Sequence, residues 1–348
     1  MNSTEQAGGS LMRREIAETG DAAARFLAAN AAALRDFGVR LRNLDPPVVA
    51  TIARGSSDHC ALYLKYLTEV AVGAPCASIG PSIASLYRAP LKLKGALAVS
   101  ISQSGRSPDI VAMQSAARKA GALTLALVNE VDSPLAREAE VLLPLCAGLE
   151  RSVAATKSMI AGLVAAASVV AAWKNDEKLL AGLARLPDLL RSQNLAPPSA
   201  MVKLVAGEKS AFVLGRGATL PIAAEAALKL KETCAIHAEA FSSAEVLHGP
   251  AALVGPDFLV IAFLPQDEAR AGVEETLKRL AEMGARVLRI DAGAGDSEDR
   301  LAHAAIDPPA LAPIAMIHRF YRLAEAIALV LGRDPDNPRN LRKITETR

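Results

Sequence analysis

The sequence predicts an α/β fold made of two parallel-sheet units, each covered by helices on both faces. Three observations carry this expectation. Short apolar, β-branched runs alternate with helix-period segments along the chain. The strand-like runs read as buried, which suits parallel sheets with both faces covered. The third is an internal echo. IARGSS in the first half and LGRGAT in the second both read strand, Arg-Gly, small hydroxyl residues, helix.

Each element follows in order. Residues 1–11 are expected to be disordered. From 12 to 43, Ile16, Ala23, Phe26, Leu27, Leu34 and Phe37 recur at helical spacing, and Asp21 can cap a second helix after Gly20. Pro46 and Pro47 then break the chain before the strand VVATIA. That strand stops at Arg54, Gly55, Ser56 and Ser57, and a helix follows from Asp58. Further strands are expected at 96–101, 124–129 and 141–145, with helices between them. The apolar stretch 159–173 is shorter than the roughly 20 residues of a membrane span and reads as a buried core helix. Pro and polar residues cluster in RSQNLAPPSA, which places a linker at 193–201. The pattern restarts with AFVLGRGATLPIAAEAALKLKE, read as strand, Gly turn and a helix over 221–234. Strands at 258–264 and 285–291 follow. The units are therefore 12–192 and 202–335, with a tail over 336–348.

Bulk properties bound the function. At 348 residues the chain exceeds the roughly 250–300 residues at which single cores stop growing. A net charge of +2 without a run of one sign leaves no footprint for nucleic acid. The start lacks the apolar core of a signal peptide, so no membrane partner is expected. Four cysteines without CxxC spacing fit reduced thiols and a cytoplasmic setting. No His, Cys and Asp cluster has metal-ligand spacing, so neither a metal nor another cofactor is expected.

The sharpest local signal is Ser102, Gln103, Ser104, Gly105, Arg106 and Ser107, between a strand and a helix. A helix N-terminus at the carboxyl end of a parallel strand offers free N–H groups to an anion. Serine hydroxyls add donors, Gly105 permits close approach, and Pro108 suits a first helical turn. An ordinary serine-rich helix cap is the alternative. The Ser56 and Ser57 loop could reach the same ligand. Neither loop matches GxGxxG or GxxxxGK[ST].

Proton chemistry has fewer candidates. Lys229 and Glu232 lie three apart on one helix face, as a surface ion pair or as an acid–base couple. Glu245 and His248 follow, and His248 could equally cap a turn. His59, His237, His303 and His318 have no partner in the spacing and read as structural. Glu150 precedes the helix that starts near Lys157 and is favourable there by dipole alone.

Taken together these stretches resemble a known family. RGSSDHCA, SQSGRSPD, AGLERSVAATKS, LGRGATLPIAAEAALKLKE, HAEAFSSAEVLHGP and NPRNLRK are similar, in order, to motifs of the sugar-isomerase (SIS) family. The particular likeness is to the isomerase portion of glucosamine-6-phosphate synthase and its stand-alone relatives. The resemblance implies two tandem SIS domains, each a three-layer, flavodoxin-like parallel sheet flanked by helices. It implies a sugar phosphate as partner and a homodimer with a shared active site. Ser102, Gln103, Ser104 and Ser107 would bind phosphate, and Ser56, Ser57 and Val153 would line the sugar site. Glu232 would move the proton between C1 and C2, with Lys229 tuning it. His248 would assist ring opening from a neighbouring subunit. Lys343 matches a lysine able to form a Schiff base with the ketose, in the tail that contributes to the site. Glu150 would sit near C1–C2.

Departures from the synthase pattern shape the expected sub-function. Residue 2 is Asn rather than a catalytic Cys, and the SIS region starts almost at once, so no glutaminase activity is expected. Ala244, Leu247 and Arg106 depart from the synthase motifs, and the end reads TETR. The expected reaction is hydrolytic deamination of glucosamine 6-phosphate. A fructosamine 6-phosphate deglycase and ammonia-dependent synthesis are the alternatives, with a non-catalytic sensor further behind.

Overall fold

A computed structural model describes residues 9–343. Most of the expected disordered start and the TETR end lie outside these residues.

The chain forms two five-stranded, all-parallel sheets. The first holds β1 (Val49–Ile52), β2 (Cys76–Ser78), β3 (Leu97–Ser102), β4 (Leu123–Val128) and β5 (Val141–Pro144), in the order β2-β1-β3-β4-β5. The second holds β6 (Ser210–Gly215), β7 (His237–Ser242), β8 (Leu259–Phe263), β9 (Arg286–Ala292) and β10 (Arg300–His303), in the order β10-β9-β8-β6-β7. Counted from each sheet's own first strand, the two orders are identical and flavodoxin-like. Each sheet therefore has a switch point beside its first strand, where the outgoing loops splay apart.

The helices are α1 (Leu11–Ala17), α2 (Thr19–Leu44), α3 (Ser56–Ala71), α4 (Ser82–Ser85), α5 (Pro108–Lys119), α6 (Pro134–Glu138), α7 (Lys157–Lys174), α8 (Glu177–Ser192), α9 (Ser199–Ala206), α10 (Leu220–Lys229), α11 (Arg270–Glu282) and α12 (Ala312–Val330). α7 is long and apolar enough to cross a membrane, yet 89% of it is buried inside the fold. It packs on α2, α3 and α8, and α3 in turn packs on α10. Small residues permit these approaches. A Cβ on Gly38 of α2 would lie 2.3 Å from the Ala172 carbonyl oxygen of α7.

The largest apolar core is continuous from Met12 to Ala328 and fills the helical layer between the sheets. Two smaller cores lie on the outer faces, one around Ile52, Ala98 and Met113 and the other around Val260 and Leu277. One apolar core therefore runs through both units.

The structure departs from several sequence expectations. Leu11 is already helical, with Ser10 as its cap. The first helix breaks at Glu18 rather than at Gly20, and Asp21 lies inside the first turn of α2. Ser199 opens α9, so the irregular connection is 193–198. The expected helix over 221–234 is α10 followed by a π turn over Leu230–Cys234. β2, β7 and β10 were not expected. All three are edge strands, and they carry polar residues in place of an apolar run.

His318 on α12 ties the N-terminal helices to the second unit. Its Nε2 lies 2.8 Å from Thr19 Oγ1 and 3.1 Å from the Ile16 carbonyl, and Gln193 Nε2 lies 3.2 Å from its Nδ1. Burial pushes its pKa down to about 4. An unfolded histidine takes up a proton near pH ~6.5, so between these values the unfolded state binds more protons. Stability contributed by neutral His318 is thus present above pH ~6.5 and lost as pH falls toward 4, by roughly 3 kcal/mol at most. His318→Gln is expected to narrow the gap between urea midpoints measured at about pH 7 and about pH 4.5. An unchanged gap would remove His318 as a source of acid sensitivity.

Candidate active site

The loops that leave β1 and β3 meet at the switch point of the first sheet. β1 runs out through Arg54 and Gly55 into α3, and β3 runs out through residues 103–107 into α5. Between them lies a cleft of about 400 Å³. Ser56, Ser57, Ser102, Gln103, Ser104, Ser107 and Val153 line it, together with Glu232 from the second unit and Lys343 from the tail. One cleft thus gathers residues spread across nearly the whole sequence.

At the serine end, Gly105 has φ +62°, and a Cβ there would sit 2.2 Å from Ser133 Oγ. Only glycine fits this turn. Ser102 Oγ accepts the Gly105 N–H at 3.0 Å, and Ser104 Oγ accepts the Arg106 N–H at 3.3 Å. Each hydroxyl oxygen is therefore occupied as an acceptor, and its own hydrogen is left to donate. Ser107 stands in extended backbone before Pro108 and makes no capping bond to α5. The loop presents hydroxyl donors and a helix N-terminus together, which suits an anion.

At the other end, Lys229 and Glu232 form an ion pair across the step from α10 into the π turn. Single π turns inside helices recur at functional sites. Lys229 is fully buried, so this is not a surface pair. Its Nζ also lies 3.5 Å from Glu225 Oε1 and 3.4 Å from Ser56 Oγ. Burial alone would lower the Lys229 pKa. The carboxylates of Glu225 and Glu232 outweigh it, and the net shift is upward. Burial would likewise raise Glu225, but Lys229 and His59 pull it below the usual carboxylate range. Glu225 accepts hydrogen bonds from Ser56 Oγ at 3.1 Å and Tyr321 OH at 3.1 Å, with His59 Nδ1 at 2.8 Å. Lys229 is a fixed ammonium between two carboxylates, and of those two only Glu232 faces the cleft.

Glu150 is buried beside this centre. Its Oε1 accepts the N–H groups of Thr156 and Ser158, both at 3.0 Å, at the start of α7. Its Oε2 accepts Ser158 Oγ at 2.6 Å and Lys343 Nζ at 2.8 Å. Burial opposes ionisation of Glu150, but the Lys343 charge and the Ser158 bonds lower its pKa overall. Lys343 Nζ also donates to the Ser152 carbonyl at 2.7 Å. The tail is held in register upstream, where Val153 N–H donates to the Asp336 carbonyl at 2.9 Å.

The structure does not bring His248 to this cleft. It is exposed, follows the turn Glu245–Leu247, and is absent from the lining. Sequence reasoning missed Glu225, His59 and Tyr321. Glu225 had a signal, as a lone carboxylate in the Ala-rich run IAAEAALK one turn before Lys229. His59 and Tyr321 come from distant segments, and no spacing pairs them with Glu225. The equivalent second loop, after β8, reads LPQDE and carries acidic residues where the first carries serines.

Comparison with known proteins shows the family. The SIS domain profile matches residues 46–172 and 204–329. The chain belongs to the SIS domain family and contains two copies of that domain. It is 34% identical over 314 residues to the isomerizing glutamine–fructose-6-phosphate aminotransferase of Bradyrhizobium diazoefficiens, covering 84% of this chain and 50% of that protein. The chain thus spans about half the length of the curated relatives it matches. A crystal structure of a candidate phosphosugar isomerase from Silicibacter pomeroyi DSS-3 is 43% identical, with a TM-score of 0.88, covering 94% of this chain and 100% of that one. The C-terminal domain of glucosamine-fructose-6-phosphate aminotransferase from Francisella tularensis is 26% identical, with a TM-score of 0.80, covering 97% of this chain and 100% of that one.

Glu150→Ala removes the acceptor for the first N–H groups of α7 and leaves Lys343 without its carboxylate. The expected cost is about 3 kcal/mol in denaturant unfolding, with Glu150→Gln losing about half of that. Equal stability of all three proteins would show that this buried pair contributes nothing net.

Proposed function

We propose that this chain converts glucosamine 6-phosphate and water to fructose 6-phosphate and ammonia. One observation carries the reading: a serine-rich anion site and a carboxylate backed by lysine line the same cleft of about 400 Å³. That volume falls within the range of small-molecule sites. The phosphate binds the 102–107 loop and the α5 N-terminus, and its binding energy holds the far carbons in register. Ring opening exposes the C1 aldehyde. Glu232 takes the C2 proton as O1 takes one up, giving an enolamine, and returns it to C1 as the nitrogen gives one up to solvent, so that a second proton passes on balance from nitrogen to O1. The resulting C2 imine adds water and releases ammonia, leaving the ketone. Lys229 stays protonated and offsets charge as it builds on the substrate oxygens. The steps are proton transfers, one addition of water and two eliminations (ring opening and loss of ammonia), with no net gain or loss of electrons, so the chemistry calls for no redox cofactor. In this arrangement Lys343 is an ammonium bound to Glu150, a fixed charge beside the C1–C2 end.

His248 belongs to the site through a second copy of the chain. Its exposure leaves it free to reach the cleft of a neighbouring subunit.

Purified protein supplied with glucosamine 6-phosphate is expected to yield ammonia and fructose 6-phosphate together. Neither product would refute the reading, and turnover of a fructosamine 6-phosphate alone would reassign the enzyme as a deglycase. Glu232→Gln is expected to slow turnover about 10²–10⁴-fold while sparing sugar-phosphate binding. Near-normal turnover would exclude Glu232 as the proton carrier. Mixing Glu232→Gln with His248→Asn protein tests the shared site. Each hybrid dimer regains one intact centre, so activity should approach about a quarter of wild type. No recovery would place His248 elsewhere.

A further inference from the structure

We propose that Arg54, oriented by the buried Asp109, is the cation that reads the dianionic phosphate of the substrate. This rests on the functional reading above and deepens it. The serines of the loop supply only neutral donors, Arg106 within it is not among the residues lining the cleft, and a phosphate dianion held without compensating charge binds poorly. Three cationic residues line the cleft: Arg54, Arg342 and Lys343. Lys343 is committed to Glu150, and Arg342 lies exposed on the tail.

Arg54 is placed differently. It leaves the end of β1 beside the 102–107 loop. Its Nε and Nη2 lie 3.2 and 3.0 Å from the same oxygen, Asp109 Oδ2. Asp109 sits in the first turn of α5, two residues after Ser107, and its side chain is 1% exposed. Its other oxygen accepts the Ile110 N–H at 2.9 Å. The guanidinium is thereby fastened to the helix whose N-terminus faces the ligand. Nη1 makes no hydrogen bond among the described residues, and the side chain is half exposed in the cleft. A planar guanidinium with one edge fixed and another free is suited to a phosphate at a set position. The site would accordingly select a hexose bearing a dianionic terminal group over the same sugar without it.

Calorimetric titration of the full chain with inorganic phosphate and with fructose 6-phosphate tests this. Removing Arg54 alone would strand a buried carboxylate. The informative variants are therefore R54K, which keeps a partner for Asp109, and the neutral pair R54Q/D109N. Both ligands are expected to bind about ten- to a hundredfold more weakly to R54Q/D109N, with R54K between it and wild type. In turnover, KM should rise by a similar factor while kcat changes only a few-fold. R54Q/D109N that melts like wild type and binds inorganic phosphate within twofold of it would overturn the inference. Wild type that binds inorganic phosphate but no hexose phosphate would instead overturn the functional reading. The phosphate titration would still decide the role of Arg54.

Discussion

The constraint on which the rest depends is a buried ammonium. Lys229 is inaccessible to water, and an isolated charge there would be untenable. Glu225 and Glu232 make it tolerable, and Glu225 in turn draws on Ser56, His59 and Tyr321. Those partners come from α3, α10, α12 and the π turn. The charge cluster therefore fixes how the first unit's loop sits against the second unit's helix. Position and chemistry share one network, because the carboxylate that reaches the cleft is also one that keeps Lys229 charged.

This arrangement explains why the two sheets are joined by a shared helical layer. If the cleft had been closed within one sheet, a flexible link between units would be harmless. Here the anion loop hangs from β3 and the carboxylate from the end of α10. A small shift between them would change the span from the serine loop to Glu232, which on the reading proposed above sets the substrate against its base. The continuous core through α2, α3, α7, α10 and α12 resists that shift. Alanine is the commonest residue of α7, and a Cβ on its Gly162 would lie 2.7 Å from Cys60 Sγ of α3.

Much of this was legible in the residues. Central strands such as TLALVN announce themselves because both their faces are covered, and the Arg-Gly turns exposed the duplication. The SQSGRS loop revealed itself by composition at a strand–helix junction. What could not be read were features made by juxtaposition. Edge strands such as HAEAFS lack an apolar run. His59 finds Glu225 only after two sheets are packed. The hold of Asp109 on Arg54 depends on β1 and β3 being neighbours, although β2 intervenes in sequence. His248 gave the opposite lesson. Its motif implies a place in the site, and the structure leaves it exposed and outside the cleft.

The two halves share a strand order but not a loop chemistry. After β3 the chain offers hydroxyls, and after β8 it offers Asp267 and Glu268. The two halves thus end equivalent strands in loops of opposite chemistry. On the reading proposed above, the first half grips the phosphate, and the second half lends Glu232 and the helices behind it. On that reading, a sigmoidal dependence of rate on substrate would have to be communicated from one subunit to another.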